Sequence, residues 1–387
     1  LGQGPNALEI IYLQSNTKPN ALALKNSWKS RHANRAVPVL FVVHYGTLAS
    51  ICGPSGDNPP VLHDLDIHQV ERLCNTALHE PDRHSVLRLL RPAFEGLTSN
   101  LPGIRNEGLL STNALTAWLA DHQNSSSSQT LDILQSEGGD LIEKLGFQMS
   151  AMNGPSWILT SGANKIALAI LLDRSEFHDV ANARFSDRSP VTYALTRADE
   201  ENLPYVMIVS GRTLRLYPTN IASGVGRRGR TETYIEINLN LLHENHIPLF
   251  WNIFSPDALR TSGTFEKLLS DSSNYASNLG IRLRERIYSE AIPLLTKALC
   301  ESRKLDSPTR QELDLTYQMS LMILFRILFV AYGEDKDLLP YKTNEMYQNR
   351  SLKQKALTFA NMDSENMLFD SNAYDHWDDA VRIFNAV

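Results

Sequence analysis

Residues 205–218 read YVMIVSGRTLRLYP, two short runs of apolar, β-branched and aromatic residues on either side of Gly211 and Arg212. Runs of this composition around a glycine-containing turn are typical of a β-hairpin, so strands are predicted at 205–211 and 213–218. Working outward, the sequence predicts further strands at SWILTS (156–161), IALAILL (166–172) and TYIEINLN (233–240), with a short helix around 189–199. This order indicates a mixed α/β domain, which we place at 130–262.

The residues before this domain predict a separate α/β domain at 1–123. The segment VPVLFVVHY (37–45) has strand composition. Helical periodicity begins after Asp66, which is a predicted N-cap. The low-complexity tract NSSSSQ (124–129) lies between helical patterns and predicts a boundary loop.

The residues after the mixed domain, 263–387, repeat apolar positions with a helical period and carry no strand signal. The predicted fold class is therefore α/β plus α. The segment LMILFRILFV (321–330) is about half the length of a membrane span and contains Arg326, so we expect a buried helix. The final helix has no stop signal after it, which favours a natural chain that continues.

The charge balance limits the kind of nucleic-acid contact that is possible. Of the 387 residues, 37 are basic and 43 acidic, which gives a net charge of −6. This excludes proteins held on nucleic acid by bulk positive charge, so any DNA contact must be a local patch. The three widely spaced cysteines exclude a disulfide framework and a cysteine-rich zinc site. We expect a cytoplasmic protein without membrane contact.

Several short motifs are better explained as local structure than as chemistry. NPPV (58–61) lacks the aromatic residue with which amino-methyltransferases hold a base, and GPSG (53–56) fits a turn. HENH (243–246) is one residue short of the zinc motif H-E-x-x-H. Side chains that can bind metals occur close together at His63, Asp64, Asp66 and His68. The simpler interpretation is that Asp66 caps a helix and the two histidines are solvated at a loop-to-helix junction.

A Gly/Arg loop at 223–230 is the strongest local positive feature of the sequence. Arg227, Arg228 and Arg230 alternate with glycines that allow the backbone to approach a ligand, and guanidinium groups bind phosphate. A DNA contact and a solvated hairpin loop are both compatible with this composition. With Arg212, these arginines are the candidate DNA-binding residues.

Three stretches carry a family resemblance. They are LPYVMIVSGRTLRLYP (203–218), RILFVAYGEDKDLLPY (326–341) and LPGIRNEGLLSTNAL (101–115). Together they resemble the N-terminal region of type IIG-like restriction–modification DNA methyltransferases, including adenine methylase relatives in the DISARM and BREX phage-defence systems.

The resemblance implies a restriction-endonuclease-like fold for the central domain. In such domains an acidic residue and a following E-x-K motif hold Mg²⁺ and activate water. The resemblance also implies a methyltransferase domain that uses S-adenosylmethionine (SAM), located after this region in the parent protein. The implied partners are double-stranded DNA, the protein's own methyltransferase domain and other defence-system subunits.

The sequence departs from the nuclease pattern where E-x-K is expected. Residues 167–174 read ALAILLDR and contain no E-x-K. We therefore expect a non-cutting, nuclease-like scaffold that binds DNA or docks other domains, with no cofactor in this region. One alternative is a divergent nuclease in which Asp173 and Glu176 bind Mg²⁺ and Lys165 enters the same site from the edge of the preceding strand. Another alternative is a protein-interaction platform for defence subunits.

Overall fold

A computed structural model describes the chain at 7–33, 37–54, 56, 58–99, 101–121, 132–226, 229–336, 338–341, 344–364, 367 and 374–386. The chain divides into two compact units, Leu1–Ser277 and Asn278–Val387, called the first and second units below.

The first unit contains two sheets. The elements that build the smaller sheet are β1 (Glu9–Gln14), α1 (Ala21–His32), β2 (Val39–Tyr45), β3 (Leu48–Cys52), β4 (Val61–Asp66), α2 (Ile67–Leu78) and α3 (Arg83–Leu97). The strand order is β1-β2-β3-β4, with β1 and β2 parallel and the other pairs antiparallel.

Helices cover both faces of this smaller sheet. Successive residues of β2 point to opposite faces, so Leu40 and Val42 pack against α2 and α3, whereas Phe41 packs against α1. On the α1 side, Trp28 is buried and its indole Nε1 donates to the Val39 carbonyl at 2.6 Å. The predicted strand at 37–45 and the predicted Asp66 cap are confirmed.

The larger sheet of the first unit has seven strands. Its elements are β5 (Ile104–Glu107), α4 (Thr112–Asp121), α5 (Gly138–Lys144), β6 (Gln148–Ala151), β7 (Ser156–Ser161), β8 (Asn164–Leu172), α6 (Pro190–Glu200), β9 (Tyr205–Ser210), β10 (Thr213–Pro218), β11 (Tyr234–Asn238), α7 (Ile247–Phe254), α8 (Pro256–Leu259) and α9 (Thr264–Arg286). The strand order is β5-β11-β10-β9-β8-β7-β6. Only the pair β8 and β9 is parallel among these described strands, and α6 makes the crossover between them.

The central strands of this sheet are apolar because both of their faces are buried. Along β8, Ala167 and Ala169 face a core built with α5 and α7, and Leu168 and Ile170 face α6. This explains the unbroken apolar run IALAILL, which is typical of a strand covered on both sides. The predicted strands at 156–161, 205–211, 213–218 and 233–240 and the helix near 189–199 are confirmed within one or two residues.

The predicted domain boundaries are wrong at two places. β5 lies inside the predicted N-terminal domain 1–123 but pairs with β11, so residues 104–107 belong to the larger sheet. The second correction concerns α9, which the sequence places in the helical segment from 263 onward. The start of this helix belongs to the larger sheet, because Phe265 and Leu268 pack in the core of that larger sheet. The tract at 124–129 lies outside the described residues.

The second unit is helical, as predicted. It contains the end of α9, a π-helical turn (Ile287–Ala291), α10 (Ile292–Ser302), α11 (Arg310–Asp335), α12 (Glu345–Arg350), α13 (Leu352–Ser364) and α14 (Asp375–Ala386). The mixed α/β part followed by helices agrees with the predicted fold class.

The expectation of a buried helix at 321–330 is wrong. Four large side chains at helical spacing on α11 are exposed to solvent, and we call them the α11 apolar face: Met322, Phe325, Phe329 and Tyr332. Within the described ranges, α11 is the one helix long and apolar enough to cross a membrane. A core helix of a soluble protein meets the same criterion, so this finding alone is weak support for a membrane span.

Candidate functional site

The parallel pair β8 and β9 creates a cleft in the first unit. Because the two strands run in the same direction, the loops that follow them meet at one edge of the sheet, where open α/β sheets commonly bind ligands. The cleft between these loops and the ends of α2 and α3 has a volume of about 610 Å³. We call it the carboxyl-end cleft.

The acidic residues that follow β8 are held by an arginine. Arg184 Nη1 lies 2.6 Å from Glu176 Oε2 and 3.3 Å from Asp173 Oδ2, and Arg184 Nη2 donates to the Leu171 carbonyl at 3.1 Å. Glu176 also accepts the Asp173 backbone N–H at 2.9 Å. The two carboxylates therefore share a fixed guanidinium, which takes the place that a bound cation would need.

The third residue of the nuclease alternative lies at the other end of β8. Lys165 is the second residue of this strand, and its Nζ pairs with Glu201 at 3.0 Å. Eight residues of extended chain separate Lys165 from Asp173, which is roughly 26 Å. The structure thus does not bring Lys165 together with Asp173 and Glu176, and these residues do not fit a Mg²⁺ site. In the part of the chain that the structure describes, no group of three or more His, Cys, Asp or Glu side chains could hold a metal ion.

Arg212, a predicted DNA-binding residue, lies in the wall of the cleft at the β9–β10 turn. Its Nη2 donates to the Gln135 carbonyl at 3.2 Å and its Nη1 to Thr76 Oγ1 at 3.3 Å, while its buried Nε has no hydrogen-bond partner. Nearby, burial lowers the pKa of Arg72, and the positive charge of Arg212 lowers it further. Arg212 is therefore the guanidinium that lines this end of the cleft, whereas Arg72 lies 4.0 Å from the Glu244 carboxylate and is paired with it.

The opposite wall of the cleft adds two arginines and an aromatic ring. Arg88 on α3 donates from Nη2 to the Arg174 carbonyl at 2.6 Å, and its Cζ lies 5.2 Å from the centroid of the Phe177 ring. The Phe177 side chain is 47% exposed, and the Arg174 side chain is also exposed. An exposed aromatic ring beside cationic groups is unusual on a polar surface and is available to a ligand.

His178 also lines this cleft and is electrically neutral at physiological pH. Burial, with a smaller contribution from the positive charge of Arg215, lowers its pKa to about 3. Arg215 itself is paired with Glu236 and lies 4.6 Å from the Tyr234 ring centroid. Arg215 is therefore a structural cation of the sheet face, and it is not free to bind an anion.

Among the described residues, the Gly/Arg loop places no arginine in one patch with Arg212. Arg227 and Arg228 lie outside the described residues. Arg230 Nη1 is 2.9 Å from both carboxylate oxygens of Asp199 and 3.0 Å from the Thr219 carbonyl, so its charge is already neutralised. Thr219 and Arg212 flank opposite ends of β10, roughly 20 Å apart.

The glycines of this loop have a structural role. The backbone N–H groups of Val225 and Gly226 both donate to the Gly108 carbonyl at 2.9 Å. A Cβ atom added to Gly224 would lie 2.7 Å from the same carbonyl oxygen, and Gly224 has a φ of +102°. The close approach of two backbones explains the glycines here without a phosphate ligand.

The other sequence motifs do not converge on a site. His63 Nδ1 bonds to Ser50 Oγ at 2.7 Å, Asp64 pairs with Lys18, and Asp66 caps α2 by accepting the Gln69 N–H at 3.0 Å. The predicted loop-to-helix junction is in fact β4 running directly into α2. In 243–246, the His243 Nδ1 accepts the Asn245 N–H at 3.1 Å, which is a local cap.

Sequence reasoning found two cleft residues, Arg212 and Glu176, and missed Arg88, Arg174, Phe177 and His178. Arg174 could have been found, because it follows directly after a strand predicted to be central in a sheet. No local signal marks Arg88, since it reaches the site from a helix 86 residues earlier in the chain. No family model, curated protein or solved structure matches the chain, so its family resemblance rests on the motifs alone.

Proposed function

We propose that this chain is the non-methylating N-terminal part of a cytoplasmic bacterial restriction–modification or phage-defence DNA methyltransferase, and that it binds double-stranded DNA. The order of elements around β8 carries the proposal. A three-stranded antiparallel meander (β6 to β8), a crossover helix (α6) and a strand parallel to β8 (β9) are compatible with the nuclease-like fold that the resemblance implies. In this proposal the parent protein methylates adenine with SAM in a separate domain.

The side chains after β8 support a binding role without cleavage. Nuclease chemistry needs free carboxylates at adjoining strand ends and a lysine beside them. Here Arg184 holds Asp173 and Glu176, and Lys165 lies at the other end of the strand. This arrangement argues against the Mg²⁺-dependent nuclease alternative.

The carboxyl-end cleft is the proposed DNA contact. Arg88, Arg174 and Arg212 line it, and guanidinium groups form charge-assisted hydrogen bonds with phosphate oxygens. A local group of this kind suits a protein of net charge −6, for which general attraction to DNA is absent.

A titration of a labelled DNA duplex, followed by fluorescence anisotropy at several salt concentrations, tests the proposal. Wild-type protein should bind at low salt, and Arg174→Gln should weaken binding roughly tenfold. The same variant should reduce the slope of log K against log salt by about one. Arg230→Gln is the matched control, since Arg230 is paired with Asp199 and should matter little. Absence of binding at low salt, or an equal loss in the control, would remove the DNA role.

Incubation with plasmid and Mg²⁺ or Mn²⁺ tests the absence of cleavage. We expect intact plasmid. Cleavage that disappears in Asp173→Ala would favour the nuclease alternative instead.

A second candidate function, a protein-interaction platform, is favoured by the α11 apolar face. Phe325 and Phe329 are 63% and 64% exposed on a helix whose neighbouring side chains include Phe384 of α14. The candidate partners are the parent's own methyltransferase domain and other defence-system subunits. Size-exclusion chromatography of the chain with the isolated methyltransferase domain should show a complex that Phe325→Ser weakens.

A further inference from the structure

The carboxyl-end cleft contains more than positive charge. Its lining includes a set of amide and hydroxyl side chains: Asn75, Thr76, Ser85, Gln135, Thr213 and Asn238. Such groups both donate and accept hydrogen bonds, as the edges of nucleobases and sugar hydroxyls require. Phe177 adds an exposed ring face to this polar lining. An aromatic platform beside amides and arginines is the combination with which proteins bind unpaired nucleotides.

The volume of the cleft suits a small ligand. Its volume of about 610 Å³ lies inside the range of roughly 300–1,000 Å³ that is usual for small-molecule sites. A double helix, whose major groove alone is about 12 Å wide, is too large to enter such a space, so in the proposed function a duplex contacts the exposed Arg88 and Arg174 without entering the cleft. A single nucleotide is of the right size.

Two buried polar atoms in the cleft wall have no hydrogen-bond partner. They are Nε of Arg212 and Nε2 of His178. A buried polar atom without a partner is destabilising, so native proteins usually satisfy it. The Arg212 Nε–H is a charged donor, which suits a phosphate oxygen, and the neutral His178 ring can donate to or accept from an uncharged group.

The acidic residues of the cleft argue against a bare anion as the ligand. Five carboxylates line it, on Glu80, Glu137, Asp140, Glu176 and Glu236. Three of them are paired with cations, Asp140 with Lys144, Glu176 with Arg184 and Glu236 with Arg215. Together these carboxylates repel an inorganic phosphate that offers no donors in return. A nucleoside phosphate combines a phosphate for the arginines with N–H and O–H groups that carboxylates can accept.

We propose that the carboxyl-end cleft binds one nucleoside phosphate, with its base stacked on Phe177 and its phosphate held by Arg212 and Arg174. Two sources share this chemistry: a free mononucleotide and an unpaired nucleotide within DNA. The second source deepens the proposed DNA-binding function and rests on it. The first source does not depend on DNA binding.

Isothermal titration calorimetry with AMP, GMP, CMP and TMP tests the site on the whole chain. At least one of these nucleotides should bind more tightly than inorganic phosphate. Base stacking on an aromatic side chain predicts that Phe177→Ala weakens nucleotide binding roughly tenfold, while Phe177→Tyr preserves it. Arg212→Lys should weaken the binding of nucleotide, since a lysine cannot reproduce the fork of a guanidinium. The matched control is Tyr288→Ala, an exposed aromatic residue of the second unit, which should leave affinity unchanged.

DNA duplexes with and without one unpaired nucleotide distinguish the two sources. Tighter binding of the duplex with the unpaired nucleotide, lost in Phe177→Ala, supports a nucleotide within DNA. Binding of a mononucleotide without any preference among duplexes supports a free nucleotide. The inference is overturned if Phe177→Ala changes none of these affinities, or if neither mononucleotides nor the unpaired duplex bind. The fully paired duplex reports separately on the proposed DNA binding, which can survive the loss of the nucleotide site.

Discussion

At the residue scale, His178 makes the stability of the first unit depend on pH. Burial lowers its folded-state pKa to about 3, below the ordinary value near 6.5, so the unfolded chain takes up the proton more readily. The stability that comes from keeping this ring neutral is complete above about pH 6.5 and falls as the pH is lowered from there towards 3. At pH 5 the expected loss is about 2 kcal/mol.

Urea denaturation at pH 7 and pH 5 measures this effect. In His178→Gln the ionisable group is gone, so the difference in the free energy of unfolding between the two pH values should shrink by about 2 kcal/mol. His84→Gln, a change at an exposed histidine of α3, serves as the control and should keep the wild-type difference. An unchanged pH dependence in His178→Gln would contradict the prediction.

The cysteines provide a second prediction for single residues. Burial raises the pKa of Cys52 and of Cys74 to about 12, so both thiols stay protonated and unreactive at pH 8. Cys300 on α10 is only partly buried. Brief treatment of the native chain with iodoacetamide should therefore modify Cys300 first, as peptide mass spectrometry can measure. Equal labelling of all three in the native state, as expected only after denaturation, would show that the first unit opens readily.

At the element scale, a buried carboxylate joins α11 to α12 and α13. Glu334, near the end of α11, accepts the backbone N–H groups of Leu352 and Lys353 at 3.0 and 2.8 Å and the Tyr347 hydroxyl at 3.0 Å. Because Leu352 is the first residue of α13, the negative charge lies at the positive end of that helix. This gives a physical reason for the Gly-Glu pair in the motif at 326–341, since the neighbouring Gly333 leaves room for Leu339.

We expect Glu334→Gln to destabilise the second unit by about 3 kcal/mol. The amide loses the charge and one acceptor oxygen, which leaves a buried N–H without a good partner. Guanidinium denaturation followed by circular dichroism measures the loss. Glu345→Gln, at an exposed acidic residue of α12, is the control and should cost less than about 1 kcal/mol. A loss at Glu334 no larger than in this control would refute the capping role.

The elements also show which parts of the fold the sequence can predict. The strands at 205–218 and the cap at Asp66 were predictable because residue composition, turn residues and capping act over a few positions. β5 was not, because its four residues, IRNE, have no apolar alternation of their own and form a strand only by pairing with β11. The cleft combines both cases. Arg212 is marked by its turn, whereas Arg88 and Phe177 meet only through tertiary contact.

At the scale of the whole molecule, the two units differ in how far their large apolar side chains are buried. In the first unit the large apolar residues of the sheets form continuous cores on both faces. In the second unit, an open groove of about 620 Å³ is lined by Met322, Phe325 and Phe329 of the α11 apolar face and by Phe384. An exposed apolar patch of this kind usually marks a surface that contacts another molecule. The apolar composition of 321–330 predicted a buried helix because such side chains are usually buried inside their own domain. Here they are exposed instead.

The exposed groove predicts that the natively folded chain binds the apolar dye ANS, which normally reports exposed hydrophobic surface. Arg326 at the groove supplies a positive charge for the sulfonate of the dye. In the double variant Phe325→Ser/Phe329→Ser, dye fluorescence should fall by more than about half, because these rings form much of the open surface. Ile221→Ser removes a single exposed apolar side chain from the first unit and should leave the fluorescence unchanged. Thermal unfolding of the double variant should match wild type, since solvent already surrounds both rings. Dye fluorescence that is absent from the wild type, or unaffected by the double substitution, would mean that the α11 apolar face is covered in solution.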